Sequence, residues 1–330
     1  CYNIGIGRFA NCANLTSNSN TAVGHQSLKL NTAANNTAVG YEALSANTSG
    51  AHSVAVGCGA LASNTTSGEN TAVGFGALAA QNTGTPNDAF GNQSLCKLTT
   101  GTQNTGLGFR AMCDVTTGVR NVSVGNSAGY KTTTGNENVA IGRASNLSNT
   151  TGNNNVSVGH CAGYNITTGG QNINIGGFTT VASATASYSL AIGYNIVGKG
   201  AGTGYIAPDG TSSGGIYQGN NSSSWSTTSD KRIKKNIVDN TTGLDKINQI
   251  QIRNFEYRKE DEITELPKHS AIEKSGIQIG VIAQEIETIL PDVVTEESTG
   301  VKSVDPSNLT WYLINAIKEL TKRIKDLEDK

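Results

Sequence analysis

Asn70-Thr71-Ala72-Val73-Gly74, followed by Ala77-Leu78, is one copy of a motif that fills the first two thirds of the chain. In each copy an aliphatic residue or Phe precedes a glycine, and Asn or Ser stands four residues before it. The glycines recur with a 17-residue period that is one residue shorter at a single step. They are Gly7, Gly24, Gly40, Gly57, Gly74, Gly91, Gly108, Gly125, Gly142, Gly159, Gly176 and Gly193. So regular a period indicates a repeat protein with one structural unit per copy.

The composition of each copy predicts a β-structure. Short segments such as Val122-Ser123-Val124 are typical of strands, and Gly and Asn between them favour corners with positive φ. One copy cannot bury its apolar face alone, but stacked copies can. We therefore predict a mainly β shaft over residues 1–197, a β-solenoid or β-roll in which each 17-residue copy makes one coil. With coils about 4.8 Å apart, twelve coils make a rod of roughly 55–60 Å. Asn at one coil position is expected to form a ladder of side-chain amides.

The shaft is expected to be an oligomer. Its apolar residues are mostly Ala and Val, which predicts coils with almost no interior of their own and therefore several chains around one axis. The repeat resembles the heads of trimeric bacterial adhesins and the shafts of bacteriophage tail fibres, although those adhesin heads have a different repeat length. The resemblance implies a homotrimer.

The cysteines and the charge exclude several classes of function. Cys96 and Cys113 occupy equivalent positions one repeat apart, so they are either bridged or simply small buried residues of the repeat. No CxxC motif is present, and we predict no metal and no cofactor. A net charge of −1 gives no general attraction to nucleic acid. The sequence contains no stretch of about 18 apolar residues, so we expect no membrane insertion. Because the chain begins at Cys1, we expect an attachment region to be missing.

The composition changes after the repeat. Residues 198–228 form a Gly/Ser/Asn-rich transition, flexible by composition. Residues 1–228 contain 14 charged residues, whereas residues 229–330 contain 35. We predict a small α+β domain over 229–330, with strands at 233–237, 252–258, 277–282 and 301–304 and helices near 244–247 and 283–290. A last helix starts at Asp305-Pro306, a cap followed by Pro at the first position.

The last helix carries a heptad seam of five apolar residues that step by four and three. They are Leu313, Ile317, Leu320, Ile324 and Leu327. This spacing predicts a coiled coil between chains. The alternative is an amphipathic helix that packs on its own domain.

Motifs along residues 229–330 look like the C-terminal intramolecular chaperone of endosialidase-type phage tailspikes. They are Ser229-Asp230-Lys231-Arg232-Ile233-Lys234-Lys235-Asn236-Ile237, Phe255-Glu256-Tyr257, Gly280-Val281-Ile282-Ala283-Gln284-Glu285 and Leu290-Pro291-Asp292-Val293-Val294. The resemblance implies a trimeric domain that aligns and folds three chains. It also implies that the domain then releases itself by autoproteolysis at its own N-terminal serine.

By its matching motif, the resemblance implies that Ser229 is the nucleophile and Lys234 the base, and that the bond cleaved joins Thr228 to Ser229. A serine hydroxyl needs a base, and a lysine amine can serve when burial or positive charge favours its neutral form. A turn or bend must bring the two together, because residues five apart do not share a helix face. The alternative is that the basic residues only solvate a strand. No motif around His269 matches, so its role stays open.

Two functions follow from these features. The first is a viral or phage tail fibre or tailspike, exposed on the virion, that binds a host cell-surface receptor and cuts itself once per chain as a serine endopeptidase. The second is a trimeric surface adhesin whose C-terminal domain is a permanent cap without cleavage. A glycosidase is not expected, because residues 1–228 contain only six acidic residues and no paired carboxylates stand out.

Overall fold

The structure is a computed structural model that describes residues 2–210, 215–219, 229–268, 271–272, 274–297 and 300–330. The chain divides into two compact units, Cys1–Ser229 and Asp230–Lys330. We call them the solenoid unit and the C-terminal unit. None of the described helices is both long enough and apolar enough to cross a membrane.

The described strands of the solenoid unit form one continuous sheet in chain order. They are β1 Ile4–Ile6, β2 Thr21–Val23, β3 Thr37–Val39, β4 Val54–Val56, β5 Asn70–Val73, β6 Asn87–Phe90, β7 Asn104–Leu107, β8 Val122–Val124, β9 Val139–Ile141, β10 Val156–Val158, β11 Ile173–Ile175, β12 Leu190–Tyr194, β13 Gly204–Asp209 and β14 Ile216–Gln218. Each strand from β1 to β12 pairs in parallel with the next, so Ala72 lies opposite Ala89. This confirms a β-solenoid of about twelve turns with a 17-residue period. At its C-terminal end, β14 pairs antiparallel with β13.

Each coil has an interior of its own. The central residue of most strands is a buried Ala, such as Ala72, and the residue four after the motif glycine is a fully buried Leu in five successive coils. Leu78 adopts φ 50°, and this left-handed turn lets it join the alanines in one continuous cluster. The prediction that a coil of this size has almost no interior is therefore wrong. Left-handed corners are also not reserved for Gly and Asn.

A ladder of buried asparagines joins successive coils, as the sequence predicts. The backbone N–H and the side-chain amide of Asn104 both donate to Oδ1 of Asn87, at 3.0 and 3.1 Å. The same side-chain amide donates to the carbonyl of Gly118 in the next coil at 2.8 Å. Buried polar groups must find partners, and here each amide finds them in the coils before and after it.

The motif glycine is required by the close approach of successive coils. Gly108 has φ 134°, a conformation that side chains rarely adopt. A Cβ atom at this position would lie 2.6 Å from the carbonyl oxygen of Gly125 in the next coil. Backbone-to-backbone packing therefore excludes any larger residue.

The structure settles the alternatives for Cys96 and Cys113 in favour of a bridge. The two residues occupy neighbouring coils with Cα atoms 5.0 Å apart and form a disulfide. Cys12 and Cys58 are exposed thiols, and Cys161 is partly buried.

The C-terminal unit is a small α+β fold. Its helices are α1 Leu244–Ile247, α2 Ala283–Ile289 and α3 Pro306–Glu328, and its strands are β15 Arg253–Phe255, β16 Gln278–Gly280, β17 Val294–Glu296 and β18 Lys302–Val304. β15 pairs with β16 and β17 with β18, both antiparallel. Its core is built on Ile286, Leu290 and Val293.

Two sequence predictions for this unit need correction. The strand expected at 233–237 is absent from the described residues, because Lys231–Ile233 forms a 3-10 turn instead. Strand β17 was not expected; it follows Pro291–Val293, a short 3-10 turn after α2. The start of α3 is as predicted, since the Asp305 side chain accepts a hydrogen bond from the Ser307 N–H at 2.8 Å.

Candidate functional site

The candidate cleavage segment begins at Ser229, which is exposed. Thr228 and His269 lie outside the described residues, so the bond proposed for cleavage and the open role of His269 are not described. Asp230 follows Ser229 and caps a 3-10 turn by accepting from the Arg232 N–H at 2.8 Å. The Arg232 guanidinium also pairs with the Asp230 carboxylate at 2.6 Å and thereby lowers the pKa of Asp230.

The chain turns between the two predicted catalytic residues. The turn spans Lys231–Ile233, and the Lys234 N–H donates to the Lys231 carbonyl at 3.1 Å. The sequence argument requires such a bend between Ser229 and Lys234, because residues five apart do not share a helix face. The roles of the Ser229 hydroxyl and the Lys234 amine stay predictions.

The residues that follow are exposed throughout. Every residue from 231 to 240 is solvent-exposed, including three aliphatic ones. Ile233 is 69% exposed, Ile237 62% and Val238 85%. Aliphatic side chains in such number rarely face water without a partner surface. A serine–lysine pair works best where water is excluded, and the described residues leave residues 231–240 open to water.

The predicted coiled-coil seam is exposed along α3. Leu313, Ile317, Leu320, Ile324 and Leu327 all face solvent. Another face of the helix packs against the segment that leads into α1: the Asn315 side chain donates to the carbonyls of Asn240 and Thr242 at 2.8 and 3.1 Å. Ala316 on this face is buried and lies against Gly243. One face of the helix therefore packs on its own domain, and the coiled coil between chains stays a prediction for the exposed seam.

The sequence argument missed an apolar face on the solenoid. The positions one and three residues before each motif glycine flank the buried Ala of each strand, and many of them are exposed aliphatic or aromatic residues. Exposed examples are Ile4, Ile6, Val54, Phe90, Leu107, Val122, Ile141, Ile173 and Ile175. Asp88 is the single charged residue in these two columns. The sequence contains a signal for this face, because each buried Ala is typically flanked by Thr or Val before it and by Val or Ile after it.

Ion pairs and one strong hydrogen bond join the elements of the C-terminal unit. Arg253 of β15 pairs with Glu285 of α2 at 3.0 Å, and Lys302 of β18 pairs with Glu287 at 2.6 Å. The Tyr312 hydroxyl on α3 donates to Asp292 at 2.6 Å. This bond, with partial burial, raises the pKa of Tyr312 to about 12. These contacts brace the unit and lie away from Ser229 in sequence.

Comparison with known proteins finds a similarity in the C-terminal part of the chain. No curated protein and no solved structure matches the chain. Residues 229–295 match the Peptidase_S74 family, described as the chaperone of endosialidase. The match starts at the serine from which the resemblance predicted autoproteolysis. Behind a β-solenoid of about twelve 17-residue turns, residues 229–295 of this chain are therefore similar to the chaperone of endosialidase.

Proposed function

We propose that this chain is a phage tail-fibre or tailspike protein of the virion whose C-terminal domain trimerises the chains, assists folding of the β-shaft and then cuts itself off between Thr228 and Ser229. The carrying observation is the match that begins at Ser229, after a long repeat shaft and the transition that follows it. A chaperone domain behind a β-solenoid fits a phage tail-fibre-like protein, and the family is a self-cleaving chaperone domain in general. The shaft then presents the surface that meets a host receptor.

Two exposed apolar surfaces support the homotrimer. One is the face formed by the strand positions beside the buried alanines, and the other is the α3 seam. The strand face repeats once per coil, so another copy of this chain matches it coil for coil. Large exposed apolar patches mark interaction sites, and a nearly uncharged face carries little desolvation cost for ionic groups.

The folding role follows from the topology of the shaft. Strands that pair in parallel with the next coil find their correct register slowly, and their unpaired edges are exposed until they do. A compact domain that trimerises first holds three shafts together at high effective concentration. Release of the domain afterwards leaves the fibre kinetically trapped, because its assembly aid has gone.

The cleavage chemistry balances without an external reagent other than water. The Ser229 hydroxyl oxygen adds to the Thr228 carbonyl carbon while the Lys234 amine takes the hydroxyl proton. The C–N bond breaks, the proton passes to the departing Ser229 nitrogen, and an ester joins Thr228 to the Ser229 oxygen. Water hydrolyses this ester, which leaves a carboxylate on Thr228 and a free Ser229 as the new N-terminus.

A denaturing gel of the expressed chain, with mass measurement of the bands, tests this proposal. Self-cleavage gives two fragments, 1–228 and 229–330, and Ser229→Ala and Lys234→Ala each leave the chain whole. Lys235→Ala is the matched control, because it removes an exposed neighbouring lysine, and it should cleave as the wild type does. A single full-length band from the wild type would refute the protease and favour the non-cleaving adhesin.

A further inference from the structure

One coil position of the solenoid carries three exposed aromatic rings at a regular interval. The residue directly after the motif glycine is Tyr41, Phe75 and Phe109 in three coils, each separated from the next by two full repeats. Tyr194 occupies the same position five repeats after Phe109 and lies outside this interval. Tyr41 is 51% exposed, Phe75 55% and Phe109 45%. We call these three residues the aromatic column. With coils about 4.8 Å apart, its rings recur about every 9.6 Å along the shaft.

The backbone holds this column rigidly in register. The Tyr41 carbonyl accepts from the Gly59 N–H at 2.9 Å, the Cys58 carbonyl from Gly76 at 3.0 Å and the Phe75 carbonyl from Gln93 at 2.8 Å. Each coil position is therefore fixed to the next by a main-chain hydrogen bond. A site built on regular structure is preorganised, so little ordering is needed when a ligand binds.

Neighbouring side chains brace two of the rings. His25, one coil earlier, stacks on Tyr41 with ring centroids 5.4 Å apart. The Arg110 guanidinium lies 5.7 Å from the centre of the Phe109 ring. Between the rings stand residues without formal charge, Cys58 and Asn92. The column thus alternates aromatic rings with small or amide side chains.

This arrangement favours a neutral glycan over other ligands. Protein partners bury clustered anchors in fitted pockets, whereas this column is linear and evenly spaced. Single-stranded nucleic acid also stacks on aromatic rings but needs a basic groove, and residues 1–228 carry eight basic and six acidic residues. Pyranose rings present apolar C–H faces to aromatics and hydroxyls to amides such as Asn92. The two-coil interval is close to the length of two sugar units in an extended β-linked chain.

We propose that Tyr41, Phe75 and Phe109 form a binding site for an extended, uncharged, β-linked glycan, with every second sugar placed against one ring. This proposal rests on the receptor role in the proposed fibre function and gives that receptor a chemical class. It does not depend on the cleavage chemistry. The Ser229→Ala chain should bind as well as the wild type does, so failure of one proposal can be told from failure of the other.

Calorimetric titration of the full chain with chitohexaose and cellohexaose tests the proposal. Maltohexaose, whose α-linked chain coils, is the control ligand. At least one β-linked probe should bind more tightly than maltohexaose, and Phe75→Ala should weaken that binding about tenfold, as should Tyr41→Ala and Phe109→Ala. Tyr164→Ala is the matched control, because Tyr164 is a similarly exposed aromatic outside the column, and it should leave binding unchanged.

Removal of one whole coil tests the interval itself. Deletion of residues 58–74 joins Gly57 to Phe75 and keeps the repeat pattern, which repeat proteins tolerate because each unit contacts only its neighbours. It halves the distance between Tyr41 and Phe75 and should weaken binding as much as Phe75→Ala does. The proposal is overturned if neither β-linked probe binds or if the ring variants bind the glycan as the wild type does. It is also overturned if the ring variants change only the oligomeric state of the chain, measured by sedimentation.

Discussion

Asn121 donates both its backbone N–H and its side-chain amide to one oxygen, Oδ1 of Asn104 in the preceding coil, at 3.1 and 3.0 Å. The same amide reaches forward to the Gly135 carbonyl at 2.8 Å, and Asn121 Oδ1 accepts twice from Asn138. One buried residue therefore ties three coils together. Amide side chains suit this position because they carry donor and acceptor at once.

Asn121→Asp should strongly destabilise the solenoid. The change keeps the size of the side chain but removes both amide donors, and it places a carboxylate beside the Gly135 carbonyl. Loss of buried hydrogen bonds and burial of an unpaired charge should lower the free energy of unfolding by at least about 3 kcal/mol. Urea unfolding followed by circular dichroism measures it. Asn126→Asp, at a more accessible site, should stay within about 0.5 kcal/mol of wild type; equal effects would argue against the ladder.

Alanine substitutions at two glycines with nearly the same φ distinguish the cost of backbone strain from the cost of a clash with the neighbouring coil. Gly108 has φ 134° and Gly200 has φ 137°. A Cβ atom at Gly108 would meet the Gly125 carbonyl, whereas one at Gly200 would meet nothing within 4 Å. Gly200→Ala should cost about 1–3 kcal/mol from strain alone. Gly108→Ala should cost clearly more because two coils must separate, and thermal unfolding of the two variants compares them.

The architecture of the shaft was predictable because the repeat imposes it. A 17-residue period with Asn70 and Gly74 at fixed offsets leaves few folds in which every backbone group finds a partner. The interior was not predictable from composition, since the inward position of Leu78 depends on a left-handed φ that leucine rarely adopts. The antiparallel cap β14 was missed for a different reason: it lies where the repeat has decayed.

The candidate site was predictable only in part. The motif that contains Ser229 and Lys234 points to a family, and the family match starts at that serine. A spacing of five residues determines neither the distance between the Ser229 hydroxyl and the Lys234 amine nor which part of the structure shields them from water. The spacing of Ile233 and Ile237 among polar residues predicts a strand at 233–237, whereas the Asp230 cap favours the turn that forms at Lys231–Ile233.

The Tyr312–Asp292 hydrogen bond should make the C-terminal unit sensitive to alkali. It raises the pKa of Tyr312 from 10.0 to about 12, so the folded chain keeps this proton where the unfolded chain has lost it. The stabilisation is full below pH 10 and is lost as the pH rises towards 12. Tyr312→Phe should therefore cost about 0.5–1.5 kcal/mol at neutral pH, and this difference from wild type should shrink in alkali.

Urea unfolding of the C-terminal unit at about pH 8 and about pH 11.5 measures this change. Tyr257→Phe controls for the general loss of a hydroxyl in the same unit. A Tyr312→Phe penalty that stays constant across the range would refute the link between the two residues.

Cleavage should depend on assembly through the α3 seam. Residues 231–240 are exposed in the single chain, while a lysine base works in its neutral form, which burial favours. Partner chains can supply that cover. Ile324→Asp places a charge in the exposed seam and should abolish both the trimer, seen by light scattering, and the two cleavage fragments. Lys322→Asp changes charge outside the seam and should keep both; a monomeric Ile324→Asp chain that still cleaves at the wild-type rate would show that one chain suffices.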